Sequence, residues 1–276
     1  MVDVPDPPPD RASAPPVAPD GSPAWHAWSS WEESADAWDQ FVESGQDFYR
    51  SEFHGPALLA ACQPVAGLAV LDLGCGQGWF SRALARAGAQ VVGVDWSARL
   101  IGHAQRYQAE TPLAVRYEVM DAAQVGQRLV GARFALVTGC MSLMDMPQPG
   151  AVLAAARTLL APGGRVVFSV SHPMTETSYR EWERDGFGRK VALKIDRYFD
   201  GRTRWMEWNM RRLRTRFRTL QFRFTLEQWS TMIAAAGLRI DTVAEPRPTL
   251  AAVEQRPELA DALRVPYVLL FALSAR

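Results

Sequence analysis

A doubly wound α/β domain with a mostly parallel sheet is the fold class this sequence predicts, and three observations predict it. Between residues 67 and 170, short apolar runs alternate with helical stretches. Strand–helix–strand units of that kind cross over right-handed and make neighbouring strands parallel. The first run, Val70-Leu71-Asp72-Leu73, enters the glycine loop Gly74-Cys75-Gly76-Gln77-Gly78, which brings bare backbone to the edge where open sheets bind ligands. After a polar interruption the alternation returns, from Leu226 to Ser274.

Taken in order, residues 1–24 are dominated by proline and aspartate. Almost nothing there can be buried, and a disordered tail is expected. Residues 25–276 form the domain, opened by a helical cover over 25–62. Ser30-Trp31-Glu32-Glu33 fits a capping box, followed by Trp31, Ala35, Trp38 and Val42 at helical spacing. A second helix is expected near Gly55–Cys62. This cover is rich in carboxylates and holds one arginine, Arg50.

The sheet is then read as strands at Ala69–Leu73, Gln90–Val94, Val115–Met120, Phe134–Thr138 and Arg165–Val170. Helices lie between them at Phe80–Ala87, Ser97–Ala109 and Gly150–Leu160. Gly88 is the expected end of the first helix and Ser97 the cap of the second. Ala161-Pro162-Gly163-Gly164 reads as a turn before the fifth strand. Residues 174–224 break the pattern and are expected to form an inserted acceptor-binding segment. It carries fourteen basic and seven acidic side chains, with a hairpin turn expected at Asp200-Gly201. A helix at Leu226–Ala236, closed by Gly237, and strands at Leu238–Ala244 and Tyr267–Ser274 complete the chain.

The glycine loop frames the chemistry. Asp95 follows the second strand, where a carboxylate can accept both hydroxyls of a ribose. Asp121 follows the third, within reach of an adenine amino group. A dinucleotide fingerprint is the competing reading, because Gly76-Gln77-Gly78-Trp79-Phe80-Ser81 approximates Gly-x-Gly-x-x-Gly. Against it stand the bulky Trp79 and Phe80 and the carboxylate of Asp72, which repels phosphate and attracts a cation. An aminoacyl-nucleoside cofactor is favoured over NAD(P).

The stretches VLDLGCGQGWF, VVGVDWS, YEVMDA and LLAPGGRVVFSVSHP, in that order, resemble the motifs of the class I S-adenosylmethionine-dependent methyltransferases over about residues 55–275. The resemblance implies a seven-stranded sheet whose last strand is antiparallel, with S-adenosylmethionine as cofactor. It implies that Gly74, Cys75, Gly76 and Gly78 face the methionine part and that Asp72 holds its amino group. Asp95 would take the ribose, Trp96, Asp121 and Ala122 would surround adenine, and Cys140 would line the same slot. The motifs of amino-methylating nucleic-acid enzymes are missing after the fourth strand. TGCMSLMDMP, SVSHP, the insertion and AEPRP look most like bacterial small-molecule methyltransferases of cofactor and natural-product pathways. A non-catalytic S-adenosylmethionine-binding regulatory protein stays open beside this reading, and an oxidoreductase is a third choice.

Methyl transfer needs alignment, exclusion of water and, for a hydroxyl or ammonium acceptor, a base. His172, after the fifth strand, is the candidate catalytic base, with an ordinary pKa near neutrality; the alternative is a histidine that orders the insertion. Asp145 is a second candidate, set against a turn role before Pro147. His103 is expected to be structural or exposed. Arg212, Arg214, Arg216 and Arg218 alternate along a strand, either as a solvated face or as recognition of an anionic acceptor. Trp25, Trp28, Trp31, Trp38, Tyr49 and Phe53 are expected to pack the cover, and some of them to roof the cofactor.

Composition excludes other classes. Lysines and arginines total 30 and so do the carboxylates, for a formal net charge of +0, so no global field draws the chain to nucleic acid or to a membrane surface. Cys62, Cys75 and Cys140 match no disulfide or metal pattern, and the four histidines are scattered, so no metal is expected. Without an apolar span or signal pattern, a cytoplasmic location is the expectation.

Overall fold

The structure, a computed structural model, describes residues 21–201, 203–210 and 213–276. The elements run α1 (Pro23–Glu43), α2 (Gly55–Cys62), β1 (Ala69–Leu73), α3 (Trp79–Arg86), β2 (Gln90–Asp95), α4 (Ala98–Glu110), β3 (Val115–Val119), α5 (Val125–Arg128), β4 (Phe134–Cys140), α6 (Pro149–Thr158) and β5 (Leu160–Ser171). The insertion contributes β6 (Tyr179–Arg184), β7 (Lys190–Asp196), β8 (Arg204–Met210) and β9 (Thr215–Gln221). Then come α7 (Leu226–Ala235), β10 (Leu238–Ala244), α8 (Leu250–Gln255) and β11 (Val268–Ala275).

Seven strands form one sheet in the order β10-β11-β5-β4-β1-β2-β3. β11 alone runs antiparallel to both neighbours, and the pairings from β3 to β5 are parallel. The seven-stranded sheet with an antiparallel last strand is therefore observed. The order reverses between β1 and β4, and that switch point is where open α/β sheets leave a crevice beyond the strand carboxyl ends. Central strands buried on both faces read as apolar runs, and β1 is buried at all five positions. One face packs Phe134, Phe168 and Phe271 against α6 and Trp229 of α7; the other packs Val70 and Leu136 with α2, Leu84 of α3 and Ile101 of α4.

Four sequence expectations are corrected. The first helix begins at Pro23, capped by the Ser22 hydroxyl, which accepts from the Trp25 N–H at 3.1 Å. The helix thus reaches into the stretch expected to be tail, of which residues 1–20 lie outside the described residues. Ser30 caps nothing: mid-helix, its hydroxyl donates back to the Ala27 carbonyl at 2.9 Å and accepts from the Leu220 N–H at 3.2 Å. A competent N-cap about two turns earlier, with proline at the first helical position, overrides the later box.

The insertion is two antiparallel hairpins, β6–β7 and β8–β9. Asp200-Gly201 joins one hairpin to the next instead of turning within one; the tight turn of the first lies at Asp185–Arg189, where the Arg189 carbonyl accepts from the Asp185 N–H. The turn Ala161–Gly164 sits inside β5. The strand already pairs Leu160 with Phe134, skips four residues, and resumes at Arg165 opposite Leu136, a bulge with Gly163 at φ 73°. The stretch between β10 and β11, left unassigned by the pattern, holds α8 and a 3₁₀ turn over Pro257–Leu263.

Candidate active site

The sheet's carboxyl edge opens into a cavity of about 710 Å³, well within the size range of small-molecule sites. Three acidic positions expected from the sequence meet there. Asp72, near the end of β1, is fully buried. Its Oδ2 accepts from the Ser81 hydroxyl at 2.6 Å, while its Oδ1 has no partner. Burial, with Asp95 close by, pushes its carboxyl up to about 7. Asp95 ends β2. One oxygen accepts the Gly76 N–H and the other the Ser97 N–H, both at 2.9 Å, so it ties the glycine loop to the start of α4. Burial lifts its carboxyl to about 6 against those hydrogen bonds. Asp121 follows β3 and accepts from the Ala123 N–H at 2.9 Å.

Gly74, Cys75 and Gly76 line the same cavity, as do Trp96, Ala122 and Cys140. Gly76 has φ 57°, and a Cβ built there meets nothing within 4 Å. Its backbone therefore faces open space, as a loop that receives a ligand must. Gly78 does not line the cavity. Its φ is 86°, and a Cβ there would come 2.4 Å from the Tyr117 hydroxyl, so this glycine is needed for close packing where α3 starts. Burial pushes the Cys140 thiol up to about 12 and the Cys75 thiol well above its usual range. Both settings disfavour the thiolate that a nucleophile needs.

His172 is not on the cavity wall. Its Nε2 lies 3.0 Å from Glu245 Oε1, and its Nδ1 accepts from the Met174 N–H at 3.2 Å. Its backbone N–H donates to the Tyr267 carbonyl at 2.9 Å. Burial lowers its pKa against the opposing effect of Glu245. The expected base is thus tied into the start of the insertion, with both ring nitrogens engaged. Asp145, the second candidate, does line the cavity. It is the last residue of a 3₁₀ turn over Leu143–Asp145. Burial, then the charge of Asp95, pushes its carboxyl well above the ordinary range.

Arg214, Arg216 and Arg218 are exposed and line no part of the cavity, and Arg212 lies outside the described residues. The Arg218 guanidinium rests over the Trp205 ring at 4.4 Å. His103 is held between Asp36 and Asp39 at the surface. Of the N-terminal aromatics, Trp31 and Trp38 reach the cavity wall. Trp28 instead donates its indole N–H to the Trp96 carbonyl at 3.3 Å, and Tyr49 packs on Tyr267.

Arg50 was not anticipated as a site residue. It sits on a π-helical turn, Arg50–His54, before α2, and lines the cavity. Its Nε pairs with Asp47 at 2.8 Å, and its guanidinium lies 5.0 Å from the Trp38 ring centre. The signal was present, as the lone arginine in an acidic segment, but nothing in the sequence aimed it. Among the described residues no group of histidine, cysteine and carboxylate side chains could hold a metal ion. No helix among them is long and apolar enough to cross a membrane.

Residues 47–243 match the family model described as a methyltransferase domain. A ubiquinone biosynthesis O-methyltransferase of Ralstonia nicotianae is 42% identical over 110 residues, which are 40% of this chain and 45% of that protein. The chain therefore matches less than half the length of such curated relatives. Two solved structures are similar over 80% of this chain and 96% of theirs. An S-adenosylmethionine-dependent methyltransferase from Mesorhizobium loti has a TM-score of 0.63 at 29% identity. A counterpart from Listeria monocytogenes has a TM-score of 0.65 at 26% identity.

Proposed function

Because the chain belongs to the methyltransferase-domain family, whose model covers residues 47–243, we propose that it moves a methyl group from S-adenosylmethionine to a small-molecule acceptor. The single observation that carries this reading is the convergence of Asp72, Asp95 and Asp121 on one cavity floored by the open backbone of Gly76.

The residues fit that cofactor. The unpartnered Oδ1 of Asp72 is a buried acceptor awaiting a donor, and an ammonium group satisfies it. Asp95 presents a carboxylate to a ribose, and Asp121 with Ala122 stands where an adenine would lie. Arg50 uses Nε for Asp47, and its two terminal nitrogens donate to no other group among the described residues. That fork suits the carboxylate of an amino acid. The cofactor supplies an electrophilic methyl on a cationic sulfur, a good leaving group. The chain's own contribution is to orient the acceptor and exclude water, with α1 roofing the cavity through Trp31 and Trp38. Alignment of this kind contributes roughly 7–11 kcal/mol in favourable cases.

The acceptor atom is proposed to be a hydroxyl oxygen, which the O-methyltransferase relatives support. An anionic acceptor is less favoured. It would meet Arg50, but the cavity wall also carries Asp72, Asp95, Asp121 and Asp145, and the arginines of β9 stand outside it.

The test is transfer of isotopically labelled methyl from S-adenosylmethionine into a metabolite extract, followed by mass spectrometry, with Asp95→Ala as control. A labelled product absent from the control is expected. Tight binding of S-adenosylhomocysteine with no labelled product from any extract or hydroxyl panel would turn the reading towards a binding protein without turnover.

A further inference from the structure

We infer that Asp145 takes the proton that the acceptor releases as it is methylated; this rests on the methyl-transfer reading above. Asp145 lies on the cavity wall just beyond the end of β4, and the residue is only 9% exposed. Its side chain makes no hydrogen bond or ion pair among the described residues, while its backbone N–H donates to the Ser142 carbonyl at 3.0 Å. Its oxygens, unlike Oδ1 of Asp72, keep some accessible surface, so a molecule in the cavity can reach them.

The ionisable groups that share the cavity with it are Asp72 beside the glycine loop, Asp95 from β2, Asp121 after β3, Arg50 from the π-helical turn, and the thiols of Cys75 and Cys140, which burial makes weaker acids. The other carboxylates and Arg50 are already engaged: Asp72 accepts from the Ser81 hydroxyl and keeps Oδ1 for the cofactor ammonium, Asp95 accepts from two backbone amides, Asp121 accepts from the Ala123 amide, and Arg50 pairs with Asp47. His172, the other candidate, is not on this wall and has both ring nitrogens engaged. Asp145 is left as the free proton acceptor.

Charge explains why a buried carboxyl suits the task. Burial, then the charge of Asp95, disfavours the ionised form of Asp145. A sulfonium entering the cavity favours the ionised form, because an opposite charge lowers a carboxyl pKa. The acceptor oxygen then forms its bond to the methyl carbon while the carbon–sulfur bond breaks and its electron pair stays on sulfur. The hydroxyl proton passes to Asp145. One positive and one negative charge disappear together, leaving a neutral thioether and a neutral carboxyl in a water-poor cavity. Burial opposes separated charges there, so the same desolvation that makes the ionised Asp145 uncomfortable makes it a stronger base.

The experiment compares wild type with Asp145→Asn and Asp145→Ala. Calorimetry gives S-adenosylhomocysteine affinity, and Tm reports whether each variant folds. Turnover is followed with labelled S-adenosylmethionine on a probe panel of catechol, phenol and the metabolite extract. The expected result is unchanged S-adenosylhomocysteine affinity in both variants, with kcat lowered roughly 10²–10⁴-fold, the usual range for loss of a general base. In wild type, kcat at saturation rises with pH as the base ionises, and that limb is absent from the residual rate of the variants. Two results overturn the inference while the wild type remains active: kcat within threefold of wild type in both variants, or loss of S-adenosylhomocysteine binding, which would make Asp145 a cofactor ligand. A wild type that binds S-adenosylhomocysteine yet labels nothing overturns the methyl-transfer reading itself, and Asp145 then has no proton to take.

Discussion

At the scale of single residues, Asp72 gives the sharpest forecast. Its carboxyl is raised to about 7, chiefly by burial and secondarily by Asp95, against the Ser81 hydrogen bond that lowers it. The folded value lies above the ordinary 3.8, so the folded protein binds this proton more tightly than the unfolded chain. Stability from this group is full below the ordinary value and is lost as pH rises through about 7. A ligand ammonium needs the ionised carboxylate, so it reverses the preference. S-adenosylhomocysteine affinity should therefore strengthen as pH rises from 5 to 7.5, by up to about tenfold per unit. Asp72→Asn should bind weakly with a flatter profile, and calorimetry across that range checks both; an unchanged steep profile in the variant would assign the proton elsewhere. Gly74→Ala is the steric counterpart. Gly74 has φ 66°, and a Cβ would lie 2.6 Å from the Ser142 Cβ and 2.9 Å from the Met146 methyl. A loss of about 1–3 kcal/mol is expected from backbone strain, more if Ser142 cannot move, because its hydroxyl donates to the Leu73 carbonyl at 2.6 Å. Thermal melting reads it.

At the scale of elements, α1 joins a ladder of carboxylates to the apolar packing of Ala35, Trp38 and Val42. Glu32, Asp36, Asp39 and Glu43 fall at spacings of four, three and four, one face of a helix. Glu32 accepts from the Ser97 hydroxyl at 2.6 Å. Asp36 meets Arg99 and His103, Asp39 meets Arg106 and Tyr107, and Glu43 accepts from Arg82 at 2.6 Å and Gln77 at 2.7 Å. The His103 hydrogen bond holds the Asp36 carboxyl below its ordinary 3.8. A depressed folded value means the contribution is present above 3.8 and lost as pH falls through the lower folded value. Salt also screens surface pairs, with a Debye length of about 3 Å at 1 M. Proteolysis within residues 23–44 should thus accelerate in 1 M salt or below pH 4 while the sheet stays folded. Cleavage that waits for global unfolding would show that the aromatic packing of Trp38 with Trp208 and Phe217, not the ladder, fixes α1. On α7, Thr225 and Gln228 form a complete capping box. Thr225→Ala should lower stability by about 1 kcal/mol, measured by denaturant midpoint.

At the scale of the whole molecule, the reversal of strand order between β1 and β4 decides where ligands go. The insertion and α1 then close what the sheet edge leaves open: Phe222, just after β9, and Trp31 and Trp38 from α1 share one wall with Asp72 and Asp95. A ligand that binds only the folded form stabilises it by mass action, about 2.7 kcal/mol at a hundred times Kd. S-adenosylhomocysteine should raise Tm by several degrees, and Asp95→Ala should abolish most of that rise. An equal rise in both proteins would place the ligand outside this cavity.

The sequence by itself determined the sheet. Apolar strands at Ala69–Leu73 and Leu238–Ala244, Ser97 at the start of α4 and Gly237 after α7 lie where local pattern put them, because period, caps and positive-φ glycines act over a few residues. It also marked Asp72, Gly74, Gly76, Asp95 and Asp121, since strand ends on one sheet edge converge by topology. The tertiary structure alone decided the rest. It put Ser30 in mid-helix against β9, where its hydroxyl accepts from the Leu220 N–H, while Ser22 caps the helix. It turned 174–224 into two hairpins, whose pairing depends on partners that composition cannot name. It also brought Arg50 and Asp145 to the cavity while tying His172 to Glu245. Those three placements depend on how segments distant in the chain meet, and no local spacing encodes the direction in which a side chain will face.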